Sequence, residues 1–189
     1  MSEFLRKVDA MGQNSGALVK VPLGMVALQV AMSQLGVQEV PQGSNSGPEV
    51  DLYLKSVGLS PGYAWCQAFV YWCYGKAATM KGIANPVAEV AGVMSCYNAA
   101  RKNRRAAIIL NDGKLKPTDI YPGDQFIMHF AKGTGHTGIV ERAEYKGGIV
   151  ALHTIEGNTN DDGSREGYEV ARRQRLLSDK KIVALVRYV

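Results

Sequence analysis

The chain has 189 residues, 46% of them hydrophobic and 21% charged, which suffices for one domain with its own core and is ordinary for a globular protein. No apolar run approaches the roughly 18 residues that span a bilayer, so we expect no stable membrane insertion. The formal net charge of +5 suits an anionic partner. Neither basic cluster, 101–105 or 172–175, interleaves aromatic residues as single-strand binders do. Both are interpreted as solvated surface, and no nucleic-acid partner is predicted.

Residues 1–21 show little hydrophobic periodicity and are predicted to form a flexible N-terminal arm, so that residues 22–189 make up a single domain. The arm has no apolar stretch followed by a small-residue cleavage site, and therefore does not resemble a signal peptide. We expect synthesis in the cytoplasm, unless a leader has been removed from the sequence.

Helical periodicity dominates the first half of the chain and strand periodicity the second. The predicted helices run from Pro22 to about Gly36, over Glu49–Val57, from Cys66 to Gly75 or a little beyond, and over about Ala88–Lys102. The predicted strands cover about Ala107–Leu110, Gln125–Phe130, Thr137–Tyr145, Ile149–Glu156, Tyr168–Arg175 and Ile182–Tyr188. This order predicts an α+β fold in which the helices pack on an antiparallel sheet of five to six strands.

Cys66 lies in the first turn of the third predicted helix, shortly after the turn signal Pro61-Gly62. Free N–H groups and the positive end of the helix dipole favour a thiolate at that position. No Ser, Thr, Asp or Asn immediately precedes the helix to cap those N–H groups, which would leave them for a reacting oxyanion. Cys66 is therefore a candidate nucleophile. The alternative, a buried core cysteine, is the role predicted for Cys73 and Cys96.

A thiolate needs a base, and the base needs a group that orients it. His136, one of three histidines, opens a predicted strand after a Gly-rich stretch. If residues 146–148 form a three-residue hairpin loop, His136 lies opposite Asn158 and Gly138 lies opposite Glu156. The three polar side chains then share one face, and Gly138 has no side chain to keep Glu156 from the imidazole. A two-residue loop would slip this register by one residue.

Three segments occur in the order Ala-Trp-Cys-x-Ala-Phe-Val-x-Trp-Cys, Gly-His-Thr-Gly-Ile-Val-Glu and Thr-Ile-Glu-Gly-Asn-Thr-Asn. Together they resemble the CHAP family, the cysteine- and histidine-dependent amidohydrolases/peptidases, over about Val26 to Tyr188. These papain-like enzymes cut amide bonds in bacterial cell-wall peptidoglycan. The resemblance implies a papain-like fold and a peptidoglycan hydrolase, either an N-acetylmuramoyl-L-alanine amidase or a stem or cross-bridge endopeptidase.

Carried over residue by residue, the resemblance implies Cys66 as nucleophile and His136 as base. It makes Glu156 the orienting carboxylate and Asn158 a further polar partner. Which of these two is the main orienter stays open: a carboxylate would raise the pKa of the imidazole, whereas an amide would only fix its tautomer.

Trp65 and Tyr63 lie beside Cys66 in the sequence and are candidates for substrate binding. No cofactor and no metal are predicted. Some CHAP proteins hold calcium through acidic residues just before the nucleophile, but residues 60–65 contain no carboxylate. The other histidines and Asp124 match no zinc spacing, and residues 161–164 lack the alternating ligands of a calcium loop.

Two other functions stay open at this point. One is a non-catalytic structural or binding module of a phage or injection particle. The other is a cysteine amidase that acts on a small soluble amide. If the partner is peptidoglycan, a protein without a signal peptide must reach the wall through delivery machinery, such as a phage, a secretion system or an injection system.

Overall fold

The computed structural model describes residues 21–159 and 167–189. Its helices are α1 (Leu23–Met32), α2 (Pro48–Ser56), α3 (Cys66–Met80) and α4 (Val93–Ala100). Its strands are β1 (Ala106–Leu110), β2 (Gln125–His129), β3 (Gly135–Lys146), β4 (Ile149–Thr159), β5 (Glu169–Leu176) and β6 (Ile182–Tyr188). Apart from residue 21, the predicted arm lies outside the described residues, as does the segment 161–164. None of the described helices has the length and apolar character to cross a bilayer.

The helical half of the chain follows the prediction with three shifted ends. α1 ends at Met32, four residues before the predicted end near Gly36. α3 continues past Gly75 to Met80 because Ala77 and Ala78 are buried, and this packing outweighs the roughly 1 kcal/mol that an internal glycine costs. α4 begins at Val93, later than the predicted start near Ala88. The chain before α4 takes an irregular path, and Asn103 Nδ2 holds it by donating to the carbonyl of Pro86 at 2.8 Å.

The six strands form one sheet in the order β1-β6-β2-β3-β4-β5, and all neighbours are antiparallel. The predicted α+β class is thereby confirmed. α3 packs against α1 and against β3 and β4, so the helix that begins at Cys66 lies on the strands that carry His136 and Glu156. Apolar clusters cover both sides of the sheet, because Ile127 belongs to one cluster while its neighbours Phe126 and Met128 belong to the other.

The turn between β3 and β4 differs from the prediction. Lys146 pairs with Ile149, so the loop contains only Gly147 and Gly148. Both glycines have positive φ, 57° and 78°. Two-residue hairpin turns with positive φ at both positions match the twist of the strands, and glycine adopts this conformation without strain. The predicted three-residue loop is wrong.

A β-bulge nevertheless restores the predicted register close to the site. β3 carries one extra residue, Glu141, between the pair Val140–Thr154 and the pair Arg142–His153. Ile139 consequently faces Ile155. The next position along β3 is Gly138, where a Cβ atom would lie only 2.7 Å from Cγ of Glu156. The bulge, rather than the loop, therefore brings β3 and β4 into the register that the site requires.

Candidate active site

Cys66 is the first residue of α3 and is almost completely buried. The residue before it, Trp65, occupies the N-cap position, and no described side chain caps the first turn. Backbone N–H groups of a first turn have no partner within their own helix, and they carry the positive end of its dipole. The start of α3 therefore places a positive potential at the thiol and leaves N–H donors beside it.

The imidazole of His136 connects the thiol with a buried carboxylate. Its Nε2 lies 2.7 Å from Oε2 of Glu156, whose side chain is fully buried, whereas that of His136 is 12% exposed. Since Nε2 is engaged with the carboxylate, Nδ1 is the nitrogen that can face sulfur. The side chain of Cys66 is near enough to the ring to raise the pKa of His136. The structure thus brings the three predicted residues into one connected set.

The charge states of the pair follow from burial and from their partners. Burial alone would lower the pKa of His136, but hydrogen bonds and charges from Cys66 and Glu156 outweigh it and raise this pKa from 6.5 to about 9. Burial alone would raise the pKa of Glu156, but hydrogen bonds from His136 and Arg175 lower it from 4.5 to about 2. At neutral pH the pair is therefore an imidazolium facing a carboxylate.

Two residues that the sequence analysis did not assign to the site also bind Glu156. Arg175 on β5 donates from Nε to Oε1 at 2.9 Å and from Nη2 to Oε2 at 2.6 Å. Thr154 donates from Oγ1 to Oε1 at 2.6 Å. The interpretation of cluster 172–175 as solvated surface is wrong for Arg175, whose side chain is only 20% exposed. A basic residue in a basic cluster gives no sequence signal of this role, because only strand pairing brings it to Glu156.

Regular alternation along β4 predicts that Asn158 shares the face of Glu156 and contacts the imidazole, but the hydrogen bonds of its amide go elsewhere. β4 has a bulge of its own here, and Asn158 takes a positive φ of 55°, a conformation that asparagine tolerates better than most residues. Among the described residues, its amide accepts from Trp65 N at 3.4 Å and donates to Asn45 Oδ1 and to the Gly167 carbonyl. The predicted contact with the imidazole is replaced by contacts that fasten the start of α3 to neighbouring loops.

Trp65, a predicted substrate contact, lies inside the protein. Its ring is fully buried, packs 5.7 Å from the Tyr53 ring centroid, and donates from Nε1 to Oε1 of Glu39 at 2.8 Å. Gly157 makes room for it, since a Cβ there would approach the indole to 2.6 Å. This burial argues against the predicted substrate contact and makes Trp65 part of the support beneath the nucleophile.

Tyr63, the other predicted substrate contact, is 55% exposed and lies three residues before the nucleophile. Its ring is accessible from solvent, and its role in substrate binding remains a prediction.

The remaining candidates for chemistry have structural partners. Cys73 and Cys96 are free thiols buried in the core, as predicted. Asp124 forms an ion pair with Arg187 at 2.7 Å, and Nε2 of His153 lies at the same distance from Oε1 of Glu144. Within residues 21–159 and 167–189, no three His, Cys, Asp or Glu side chains form a group that could hold a metal ion.

A model of the CHAP domain matches residues 58–158, which is more than half of the chain. The chain belongs to the CHAP family. The matched segment contains Cys66, His136 and Glu156, and it ends at Asn158. No curated protein matches the sequence.

Solved structures with a similar fold include the wild-type endolysin LysIME-EF1, with a TM-score of 0.50 and 16% sequence identity. The similarity covers 89% of this chain and 65% of that one, so the CHAP chain spans less than two thirds of the endolysin. The structure of Ly7917 is similar at a TM-score of 0.48 and 13% identity, over 89% of this chain and 63% of the other. At such identities the likeness to LysIME-EF1 concerns the fold alone, and the likeness to Ly7917 carries no argument.

Proposed function

We propose that this CHAP protein hydrolyses an amide bond of bacterial peptidoglycan with Cys66 as the nucleophile. The observation that carries the proposal is the connected set of a cysteine at a helix N-terminus, an imidazole and a buried carboxylate. Membership of the CHAP family supports the wall as substrate, and the net charge of +5 suits an anionic wall polymer. The bond is either the N-acetylmuramoyl-L-alanine amide or a peptide bond of the stem or cross-bridge.

In the first half of the reaction, the Cys66 thiolate attacks the carbonyl carbon of the amide. A carbon–sulfur bond forms, and the carbonyl oxygen takes up negative charge, which the free N–H groups at the start of α3 stabilise. The His136 imidazolium then donates a proton to the nitrogen as the carbon–nitrogen bond breaks. An amine leaves, and the acyl group remains on sulfur as a thioester.

In the second half, a water molecule attacks the thioester while neutral His136 accepts its proton. The carbon–sulfur bond breaks, a carboxylic acid leaves, and the thiolate and imidazolium are regenerated. Throughout this cycle Glu156 stays ionised, because its pKa is held at about 2, and it stabilises the imidazolium whenever that forms. Neither half of the reaction draws on a group outside the protein, the substrate and water.

Digestion of purified peptidoglycan sacculi tests the proposal. Wild type should release fragments that mass spectrometry identifies, and the new chain ends name the bond that is cut. Cys66→Ala should release none and should keep the thermal unfolding temperature of wild type. More than a few per cent of residual hydrolysis in pure Cys66→Ala would refute Cys66 as the nucleophile.

Cys73→Ala is the matched control, because Cys73 lies on the same helix but is buried in the core. This variant should retain the activity of wild type. Loss of activity in both alanine variants, together with a lowered unfolding temperature, would show that damage to α3 rather than loss of the nucleophile explains the result.

Alkylation distinguishes a reactive nucleophilic cysteine from a cysteine in a site that has lost its activity. Iodoacetamide at neutral pH should add a single mass increment, and peptide mapping should place it on Cys66, since Cys73 and Cys96 are both fully buried. Modified Cys66 without any release of wall fragments, across several wall chemotypes, would favour a small soluble amide as substrate. An unreactive Cys66 would favour a non-catalytic module.

A further inference from the structure

The carboxylate of Glu156 is bound at both oxygens. Oε1 accepts hydrogen bonds from Thr154 and from Nε of Arg175, and Oε2 accepts from His136 and from Nη2 of Arg175. Arg175 is the residue that bridges the two oxygens, and its fork matches the geometry of a carboxylate.

We propose that Arg175 is a positioning residue of the reaction, whose guanidinium fork fixes the plane of the Glu156 carboxylate so that Oε2 faces the imidazole of His136. The inference rests on the proposed function. A glutamate side chain rotates about three torsions, and single hydrogen bonds from His136 and Thr154, one at each oxygen, do not by themselves fix the plane of its carboxylate. Two parallel bonds from a guanidinium that is itself mostly buried remove that freedom.

The pairing of β4 with β5 shows how the guanidinium of Arg175 reaches Glu156. Arg175 lies opposite Leu152, whereas the residue opposite Glu156 is Ala171. The small side chain of Ala171 leaves the space beside Glu156 open, and the long side chain of Arg175 extends along β4 to fill it. Arg172 has the other orientation on the same strand: it lies opposite Ile155 and binds Glu141 at the surface, at 3.1 Å.

Charge balance favours the same role. The carboxylate of Glu156 lies between two positive groups, the imidazolium of His136 and the guanidinium of Arg175. Without Arg175, the imidazolium would be the only positive group among the described residues that offsets the cost of burying this negative charge.

Activity falls at low pH when Glu156 takes up a proton, and this fall is the acid limb of the pH profile. The pH of the acid limb should therefore depend on Arg175. The groups that face Glu156 are His136 on β3, Arg175 on β5 and Thr154 on its own strand; Cys66 lies behind the imidazole, and Asp179 acts on the guanidinium. Once the guanidinium is removed, burial opposes ionisation of Glu156 with only His136 and Thr154 to offset it. The carboxylate then takes up a proton at a higher pH than in wild type.

Arg175→Met, Arg175→Lys and the matched control Arg172→Met test the inference through the pH profile of kcat and kcat/KM on a soluble muropeptide. Arg175→Met should lower kcat by roughly 10- to 100-fold, with little change in KM. Loss of a residue that orients a functional side chain commonly has an effect of this size. Its acid limb should move to higher pH. Arg175→Lys keeps the charge without the fork, so it should restore the acid limb but only part of kcat. Arg172→Met should stay within about twofold of wild type on both measures, because its surface ion pair is worth little.

A folded Arg175→Met with the kcat and the acid limb of wild type would overturn the inference. If that variant does not fold, Arg175→Lys decides: full wild-type kcat would refute the fork. The pH dependence of Cys66 alkylation by iodoacetamide provides a readout that needs no substrate. If wild type cuts no wall material, the proposed function fails, yet a displaced acid limb of alkylation in Arg175→Met would still support the positioning role. An unchanged alkylation profile would refute that role.

Discussion

Two histidine–glutamate pairs bridge β3 and β4, and both have a nitrogen–oxygen distance of 2.7 Å. In one pair, His136 is on β3 and Glu156 is on β4; in the other, Glu144 is on β3 and His153 is on β4. Side chains alternate along β4, so Glu156 and His153 point to opposite faces of the sheet.

The surroundings of the two pairs differ far more than their geometry. Glu156 is fully buried, while the Glu144 side chain is 46% exposed. The imidazole of His136 meets a thiol at a helix N-terminus, whereas that of His153 has Arg142 and Gln174 as its further neighbours. The pKa of Glu144 is lowered by hydrogen bonds from His153 and Arg142, but water screens the charges of this surface pair.

A short contact between histidine and carboxylate therefore does not define a catalytic pair. Burial makes the electrostatic coupling of His136 and Glu156 strong, and the adjacent thiol of Cys66 is the proposed nucleophile of a reaction that would use the proton of His136. The surface pair serves as an internal control for the buried one, and the following predictions use it in this way.

Replacement of the two histidines should give the largest contrast. His136→Ala removes the proposed general acid and base, so kcat/KM on wall fragments should fall by roughly 10⁴-fold or more. His153→Ala should remain within about twofold of wild type, since it loses only a surface contact. Comparable losses in the two folded variants would show that the surface pair also takes part in the reaction.

Replacement of the two glutamates should give a smaller contrast. Glu156→Gln keeps the size of the side chain but removes the charge that stabilises the imidazolium, so kcat should fall by up to about 10⁴-fold. Glu144→Gln should leave kcat unchanged. Steady-state rates for both variants at neutral pH, with circular dichroism to confirm folding, make this comparison. Near-wild-type activity of Glu156→Gln would show that the charge of Glu156 is not needed, and that an amide which only fixes the tautomer of His136 is sufficient at this position.

The raised pKa of His136 predicts an alkaline limb in the activity profile. As pH rises through about 9, the imidazolium loses the proton that the leaving amine needs, so kcat/KM should fall about tenfold per pH unit above that value. His153→Ala should show the same limb. A limb near pH 6.5 in wild type would mean that the buried carboxylate and the thiol do not stabilise the imidazolium.

The same two pKa values set the pH dependence of stability. The contribution of His136, whose pKa is raised, is complete below its ordinary value of 6.5 and is lost as pH rises through about 9. The contribution of Glu156, whose pKa is lowered, is complete above 4.5 and is lost as pH falls toward about 2. Urea unfolding across pH should thus show the contribution of the buried pair at its maximum between about pH 4.5 and 6.5.

The smallest effect on chemistry is expected at Asn158. Asn158→Ala removes a buried amide that joins Trp65, Asn45 and Gly167, and should lower the free energy of unfolding by about 1–3 kcal/mol. Its alkaline limb should stay at the wild-type pH, because the amide does not contact the imidazole. Equilibrium urea unfolding and the pH profile together make the test. A shift of the alkaline limb in Asn158→Ala would show that Asn158 does interact with the His136–Glu156 pair.

Local sequence patterns were sufficient for the α+β class, for four of the six strands within a residue at each end, and for the candidate nucleophile, base and carboxylate. The start of α3 could be predicted because turn residues and helical periodicity are local signals. The loop between β3 and β4 could not, because its Gly-Gly sequence is compatible with loops of two or three residues, and the pairing of the two strands decides between them. The structure instead combines a two-residue glycine turn with a bulge at Glu141.

By itself, then, the sequence determined which residues are candidates for the chemistry: a cysteine at a helix start, a histidine at a strand start and a carboxylate on the next strand. Tertiary structure decided which further groups reach them. The bulge in β4 turned Asn158 away, burial withdrew Trp65 from the surface, and pairing with β5 brought Arg175 to Glu156. The physical reason is that helix starts and strand alternation depend on near neighbours in the chain, whereas bulges, burial and ion pairs between strands depend on residues far apart in sequence.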